Sequence, residues 1–224
     1  MGVEGACLVM DFDGTVLDTE EPVYRSWVEL WAEHGQELSL AQWQCIIGTD
    51  NGAFDPWAEL ERRLGRPLDP RLADRRRARR DALQDRHGPR AGVLDWLGQA
   101  EDLGVPIGIA SSSPQPWVEG HLGRLGLRRH FACLICCDDV VPAKPDPTSY
   151  RLACERLHAD PAWSVAVEDS PHGVVAAAAA GLFTVAVPHG LTAGLDLSAA
   201  DIVVDSLDEL ALVDVLRRAR SRGV

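Results

Sequence analysis

Short apolar runs that end in polar residues recur along the chain, and most are followed by a stretch with helical spacing. The first, ending Leu8-Val9-Met10, delivers Asp11-Phe12-Asp13 onto a Gly14-Thr15 turn. Runs this short, bounded by turn residues, read as buried strands. The same pattern predicts strands over 105–110, 133–137, 164–167, 184–187 and 201–204. Helical spacing predicts helices over 93–104, 114–125, 147–157 and 171–180, with a last one after residue 204. Strand–helix alternation of this kind implies an α/β fold with a mainly parallel sheet covered on both faces.

Between residues 20 and 87 the character changes. Trp27 and Trp31, then Leu60 and Leu64, then an arginine-rich stretch over 71–86 keep helical spacing, with breaks at Gly35, at 48–52 and at Gly65-Arg66-Pro67. The expected organisation is a helical lobe, residues 20–87, inserted after the first strand of an α/β domain made of residues 1–19 and 88–224. A chain of 224 residues is long enough for one such domain with a sizeable core.

Composition narrows the function. With 46% hydrophobic and 25% charged residues, this is the chemistry of an ordinary globular protein. No apolar run approaches membrane-spanning length, and Met1-Gly2-Val3-Glu4 lacks the opening of a signal peptide. A cytoplasmic protein, a monomer or weak dimer without membrane partners, is expected. The net charge of −12 argues against a nucleic-acid partner, because phosphate backbones are held by basic surface. Residues 62–90 nevertheless hold eleven Arg against four Asp. They read as a solvated helix face with internal ion pairs, and attraction of an anionic substrate is the alternative. The six cysteines are expected to be reduced; Cys133-x-x-Cys136-Cys137 resembles half a metal site, but nothing completes it, and strand residues packed as small hydrophobes are the better reading.

In parallel α/β sheets ligands bind beyond the carboxyl ends of the strands. Four such ends carry polar groups here: Asp11-Phe12-Asp13, Ser111-Ser112-Ser113, the loop bearing Lys144-Pro145, and Glu168-Asp169-Ser170. A serine before a proline is alone good helix-capping chemistry, and Asp-x-Asp alone is weak. Together they are coherent. Asp11, Asp13, Glu168 and Asp169 gather negative charge that a hard dication such as Mg²⁺ neutralises. Ser111, Ser112, helix-start N–H groups and Lys144 suit a phosphoryl group. Lys144 is the only lysine among 22 basic residues, and an ammonium and a guanidinium are not interchangeable at a point-charge contact. The combination describes phosphoryl transfer, one aspartate attacking phosphorus and the other protonating the leaving oxygen.

With these motifs the sequence resembles, over nearly its whole length, haloacid dehalogenase superfamily hydrolases of the subfamily that includes beta-phosphoglucomutase and sugar-phosphate phosphatases. The motifs that carry the likeness begin at Asp11-Phe12-Asp13-Gly14-Thr15, Ile109-Ala110-Ser111, Lys144-Pro145-Asp146 and Val167-Glu168-Asp169-Ser170. The resemblance implies a Rossmann-like core with a helical cap, an aspartyl-phosphate on Asp11 and general acid/base work by Asp13. It implies Mg²⁺ on Asp11, the Asp13 carbonyl and Asp169, with Glu168 acting through water. Asp13 speaks against dehalogenase chemistry, and the absence of lysine from 20–87 speaks against a phosphonoacetaldehyde hydrolase.

Mutases of the subfamily hold a distal phosphate with cap cations. The matching loop here, Gly48, Thr49, Asp50 and Asn51, has no cation and one acid, which favours a phosphatase acting on a small phosphorylated metabolite. The mutase stays as the alternative if arginines of 71–90 face the site, and a non-catalytic phosphoryl-binding module is the third reading. Trp43 and Trp57 are expected in the cap core, His172 at a surface or helix cap, and Glu20 near the domain junction.

Overall fold

The computed structural model describes residues 3–47 and 54–222. In chain order the elements are β1 (Leu8–Met10), α1 (Glu20–Glu33), α2 (Leu40–Gln44), α3 (Pro56–Leu64), α4 (Arg71–Gln84), α5 (Val93–Leu103) and β2 (Ile107–Ala110). There follow α6 (Gln115–Arg124), β3 (Cys133–Ile135), α7 (Thr148–Arg156), β4 (Val165–Glu168), α8 (Pro171–Ala180), β5 (Phe183–Ala186), β6 (Ile202–Val203) and α9 (Leu212–Arg222).

The strands form one parallel sheet in the order β3-β2-β1-β4-β5-β6, with Met10 of β1 in register with Ile109 and Val167. Alternation along each strand sorts the side chains between two layers. Leu8, Met10, Ile107, Ile109, Val165 and Val167 face α5, α6 and α9, while Cys7, Val9, Ala110, Ile135 and Ala166 face α7 and α8. Each fully buried Leu, Ile or Val contributes about 1.5–3 kcal/mol, so burial on both faces holds the sheet rigid beneath its strand ends. The fold is a Rossmann-like α/β sandwich, as expected from the alternation of strands and helices.

Strand bounds differ by one or two residues from the apolar pattern, as at the end of β3 and the start of β2. Beyond Ile135 the backbone N–H of Cys136 turns to Asp139 Oδ2 and that of Cys137 to the Ser113 carbonyl, so neither continues β3. Val105 closes α5 through the Ala100 carbonyl instead of opening β2. Cys7, Cys136 and Cys154 are buried in the core, as small hydrophobes should be.

Helices α1 to α4 enclose a separate apolar cluster of Leu30, Trp31, Leu38, Trp43, Ile47, Leu60 and Leu68, joined by Leu191 from the other side. Trp57 packs against this cluster, so both Trp43 and Trp57 serve the interior of the lobe. Local chemistry shapes its helices: Ser39 and Gln42 form a capping box on α2, and Asp55 caps α3 ahead of Pro56. The chain leaves and re-enters the sheet domain side by side, with Leu17 bridged to Pro89 and Arg90 N–H donating to the Val16 carbonyl.

The arginine-rich helix α4 docks on α1. Arg79 pairs with Glu29 at 2.7 Å, Arg75 pairs with Glu33, and the Arg76 guanidinium lies 4.3 Å from the Trp27 ring centroid. Only part of the cluster pairs within its own segment, as Arg71 does with Asp69 and Arg77 with Asp74.

Candidate active site

The sheet order reverses direction between β1 and β4, and the loops beyond those strands part there to leave a crevice. Asp11 follows β1, tied by its backbone N–H to the Val167 carbonyl at 2.9 Å, and is 6% exposed. Lys144 reaches it from the loop before α7. Its ammonium donates to Asp11 Oδ1 at 2.6 Å, to Glu168 Oε1 at 2.5 Å and to the Ala110 carbonyl at 2.9 Å. Glu168 is fully buried and fully bonded: Tyr150 Oη donates to Oε1 at 2.6 Å, and the N–H groups of Asp169 and Ser170 donate to Oε2. Gly173 is required above it, because a Cβ there would lie 1.9 Å from Glu168 Oε1.

Asp169 points into the same crevice. It accepts from Thr15 Oγ1 at 3.2 Å and from His189 Nε2 at 3.1 Å. Leu191 N–H occupies His189 Nδ1, which assigns the proton to Nε2. Gly14 passes close by with φ +83°, and a Cβ on it would lie 2.4 Å from Asp169 Oδ2. Arg90 steadies this turn by donating to the carbonyls of Gly14, Val187 and Pro188.

Oxygen atoms of Asp11, Glu168 and Asp169 lie within 4.8 Å of one another, all three residues buried. Burial pushes the Asp11 carboxyl well above its ordinary value; Lys144 opposes this, and Glu168, Asp169 and Asp13 add to it. Asp169 is likewise raised, by burial first, against the His189 hydrogen bond. Burial alone would lower Lys144, but Asp11 and Glu168 outweigh it and keep the ammonium protonated. One ammonium and one imidazole do not balance this many acids. A hard oxygen donor set with excess negative charge fits a dication such as Mg²⁺.

Asp13 is held by four side-chain donors. Thr19 Oγ1 at 2.7 Å and Trp117 Nε1 at 2.8 Å reach Oδ1; Ser113 Oγ at 2.6 Å and Ser111 Oγ at 3.4 Å reach Oδ2. The serine run therefore does not cap α6: Pro114 is the N-cap, and Asp138 Oδ2 takes the Gln115 N–H at 2.8 Å. Ser170, by contrast, does cap α8 by accepting from Gly173 N–H.

These groups open onto a cavity of about 330 Å³ between the sheet domain and the lobe. Asp11, Asp13, Ser112, Ser113, Lys144 and Asp169 line its floor, and Glu20, Ile46 and Ile47 line the side from the lobe. Ser112 faces the cavity, while Ser111 lies buried beneath it against Asp13. Glu20 sits at the junction, where burial and the charges of Asp13 and Asp169 push its carboxyl up to about 8. His172 does not line the cavity, and among the described residues its Nδ1 finds no partner. Gly48, Thr49, Asp50 and Asn51, expected to form the specificity loop, lie outside the described residues. Among the described residues lining the cavity, Lys144 is the one lysine or arginine; of the α4 arginines, Arg75, Arg76 and Arg79 lie against α1 and Arg80 lies over the Trp117 ring.

Sequence reasoning gave no individual role to Thr19, Ser113, Trp117, Tyr150 and His189, although Thr19 lies in the first motif and Ser113 in the serine run. Trp117 and Tyr150 occupy early turns of the helices that follow the serine and lysine motifs. His189 carries no local signal.

The family model described as haloacid dehalogenase-like hydrolase matches residues 6–181. The chain is 39% identical over 217 residues to "Putative phosphatase YhcW" of Bacillus subtilis (strain 168), covering 96% of this chain and 98% of that one. It is 31% identical to validoxylamine A 7'-phosphate phosphatase of Streptomyces hygroscopicus subsp. limoneus, covering 90% and 94%. Among solved structures, CbbY from Rhodobacter sphaeroides in complex with phosphate superposes with a TM-score of 0.73 at 28% identity, covering 94% of this chain and 98% of that one. Motifs, sheet order and matched length agree: the chain belongs to the haloacid dehalogenase-like hydrolases.

Proposed function

We propose that this protein is a Mg²⁺-dependent phosphatase that hydrolyses a small phosphomonoester, a sugar phosphate or similar metabolite, through an aspartyl-phosphate on Asp11. The observation that carries this reading is the pairing of Asp11 and Asp13 on one cavity floor with Lys144 at bonding distance from Asp11.

An Asp11 carboxylate oxygen attacks phosphorus, and the bond from phosphorus to the ester oxygen breaks. Asp13 gives that oxygen a proton as the alcohol leaves. A water then takes the alcohol's place, Asp13 removes its proton, and attack on phosphorus releases phosphate and restores Asp11. Lys144 holds Asp11 in line and adds positive charge beside the transferring group. Mg²⁺, held by Asp11, the Asp13 carbonyl and Asp169, would offset charge on the phosphoryl oxygens, with Glu168 buried behind them holding Lys144. Ser112 completes the phosphate pocket, with Ser111 beneath it against Asp13. Its catalytic core would be residues 1–19 and 88–224, with residues 20–87 as the cap that excludes water.

The cap side of the cavity favours the phosphatase over a phosphomutase. Its described lining residues are Glu20, Ile46 and Ile47, while Arg75, Arg76 and Arg79 of α4 are committed to Glu33, Trp27 and Glu29 of α1. None of these described lining residues is a cation that would grip the second phosphate of a bisphosphate. A reduced cytoplasmic setting and a monomer or weak dimer complete the proposal; no helix of the described residues is long and apolar enough to cross a membrane, and no described cysteine forms a disulfide.

Phosphate release from a panel of phosphorylated metabolites, with and without Mg²⁺, tests the reading. Release that needs Mg²⁺ and disappears in a folded Asp11→Asn protein is expected. Equal activity of the two proteins would end it.

A further inference from the structure

We propose that Trp117 is a positioning residue that selects which oxygen of Asp13 carries the catalytic proton and ties that choice to the seat of the helical lobe. The inference rests on the acid/base reading of Asp13. An indole N–H donates and cannot accept. Trp117 Nε1 donates to Asp13 Oδ1 at 2.8 Å, so a proton on Oδ1 would meet another proton there. Around Oδ2 the partners are the hydroxyls of Ser113 and Ser111, which can turn from donor to acceptor. The proton is therefore carried on Oδ2. Ser113 lines the substrate cavity and Trp117 does not, so Oδ2 is the oxygen on the substrate side.

The indole is itself held from the lobe. The Arg80 guanidinium, on α4, lies 4.9 Å from its ring centroid, within cation–π range. His121 packs edge-on at 4.3 Å from within α6. Beside it a cavity of about 240 Å³ separates α4 from α6, lined by Gln84 of the lobe and by Trp117 and His121. The indole packs against the core cluster but lacks close packing on that side, where Asp13, His121 and Arg80 are its partners. Movement of the lobe away from the core would withdraw Arg80 and loosen the one donor that cannot reverse.

Trp117→Phe keeps an aromatic face for Arg80 and removes the N–H. Its kcat on an alkyl phosphate that the wild type hydrolyses should fall about 10–100-fold, as expected for losing a hydrogen bond to a charged group. KM should change little, and p-nitrophenyl phosphate, whose leaving group needs little protonation, should lose only a few-fold. Arg80→Met should give a smaller loss with the same bias. Equal losses on both esters in Trp117→Phe would mark a merely structural role and overturn the proposal. Asp13→Asn separates the two readings. A leaving-group bias there without one in Trp117→Phe sinks the proposal alone, whereas no bias in Asp13→Asn sinks the acid reading and the proposal with it. An independent check is the ¹H–¹⁵N spectrum, where the indole signal absent from Trp117→Phe should shift in Asp13→Asn and in Arg80→Met. An unmoved signal in Asp13→Asn would show that the contact does not exist in solution, and one unmoved in Arg80→Met would remove the link to the lobe.

Discussion

Lys144 Nζ lies 2.6 Å from Asp11 Oδ1, and the two side chains are almost wholly buried together. The same ammonium is held from behind by Glu168, which Tyr150 and two backbone N–H groups fix in turn. A flexible point charge has thereby been given a single position beside the proposed nucleophile.

Lys144→Met should lower kcat on every phosphomonoester by about two to three decades, the loss of roughly 2.7–4 kcal/mol expected for a preorganised electrostatic contact. Lys144→Arg should not rescue it, because the planar fork cannot reproduce contacts with Asp11, Glu168 and the Ala110 carbonyl in that volume. Steady-state kinetics on the two variants checks this; wild-type rates in Lys144→Arg would show that charge alone matters.

Gly173→Ala would place a methyl inside contact distance of the Glu168 carboxylate, which has nowhere to move without releasing Lys144 and Tyr150. Overpacking of this kind costs about 1–3 kcal/mol, which in a domain of this size lowers Tm by roughly 2–4 °C per kcal/mol. Calorimetry should show that drop together with lost activity. An unchanged Tm would mean that Glu168 is less confined than its contacts indicate.

The carboxyl of Glu20, pushed up to about 8 by burial and by Asp13 and Asp169, gives the metal-free protein a pH signature. Its protonated form favours the folded state. Its contribution is therefore complete below the ordinary glutamate range and is lost as pH rises towards 8. In EDTA, Glu20→Gln should match the wild type near pH 4.5 and be the more stable protein at pH 8–9. Denaturant titrations at both pH values test this, and a difference that does not grow with pH contradicts it.

Mg²⁺ should stabilise the wild type, by about 2.7 kcal/mol at a hundredfold excess over Kd. Asp169→Asn should lose most of that gain, because Asp169 is one of the three buried acids whose oxygens converge. Thermal melts with Mg²⁺ and with EDTA distinguish the outcomes; an equal shift in the variant would move the cation elsewhere.

What was legible in the sequence follows from where each residue sits. Asp11, Ser111 and Asp169 immediately follow strands, and a parallel sheet brings strand ends together whatever else the chain does. Trp117 and Tyr150 sit on helices, where facing the site or the solvent depends on how the helix rolls against the sheet. That is a property of packing, written across the cluster containing Tyr150, Ala153 and Cys154 rather than in any short motif. The arginines of α4 posed the same problem. Their spacing predicted a helix, but only the docking of α4 on α1 assigns Arg75 and Arg79 to Glu33 and Glu29 and turns them from the cavity. His189 could not be found at all, since it enters on a loop after β5 with no recognisable neighbour.

The central claim is that the phosphoryl group passes through Asp11, and stereochemistry at phosphorus tests it most directly. A phosphorothioate monoester made chiral at phosphorus with sulfur, ¹⁶O and ¹⁸O, hydrolysed in H₂¹⁷O, yields inorganic thiophosphate whose configuration counts the displacements. Two in-line steps, onto Asp11 and then onto water, predict net retention. Net inversion would mean that water attacks the substrate directly, and no aspartyl-phosphate would then lie on the path.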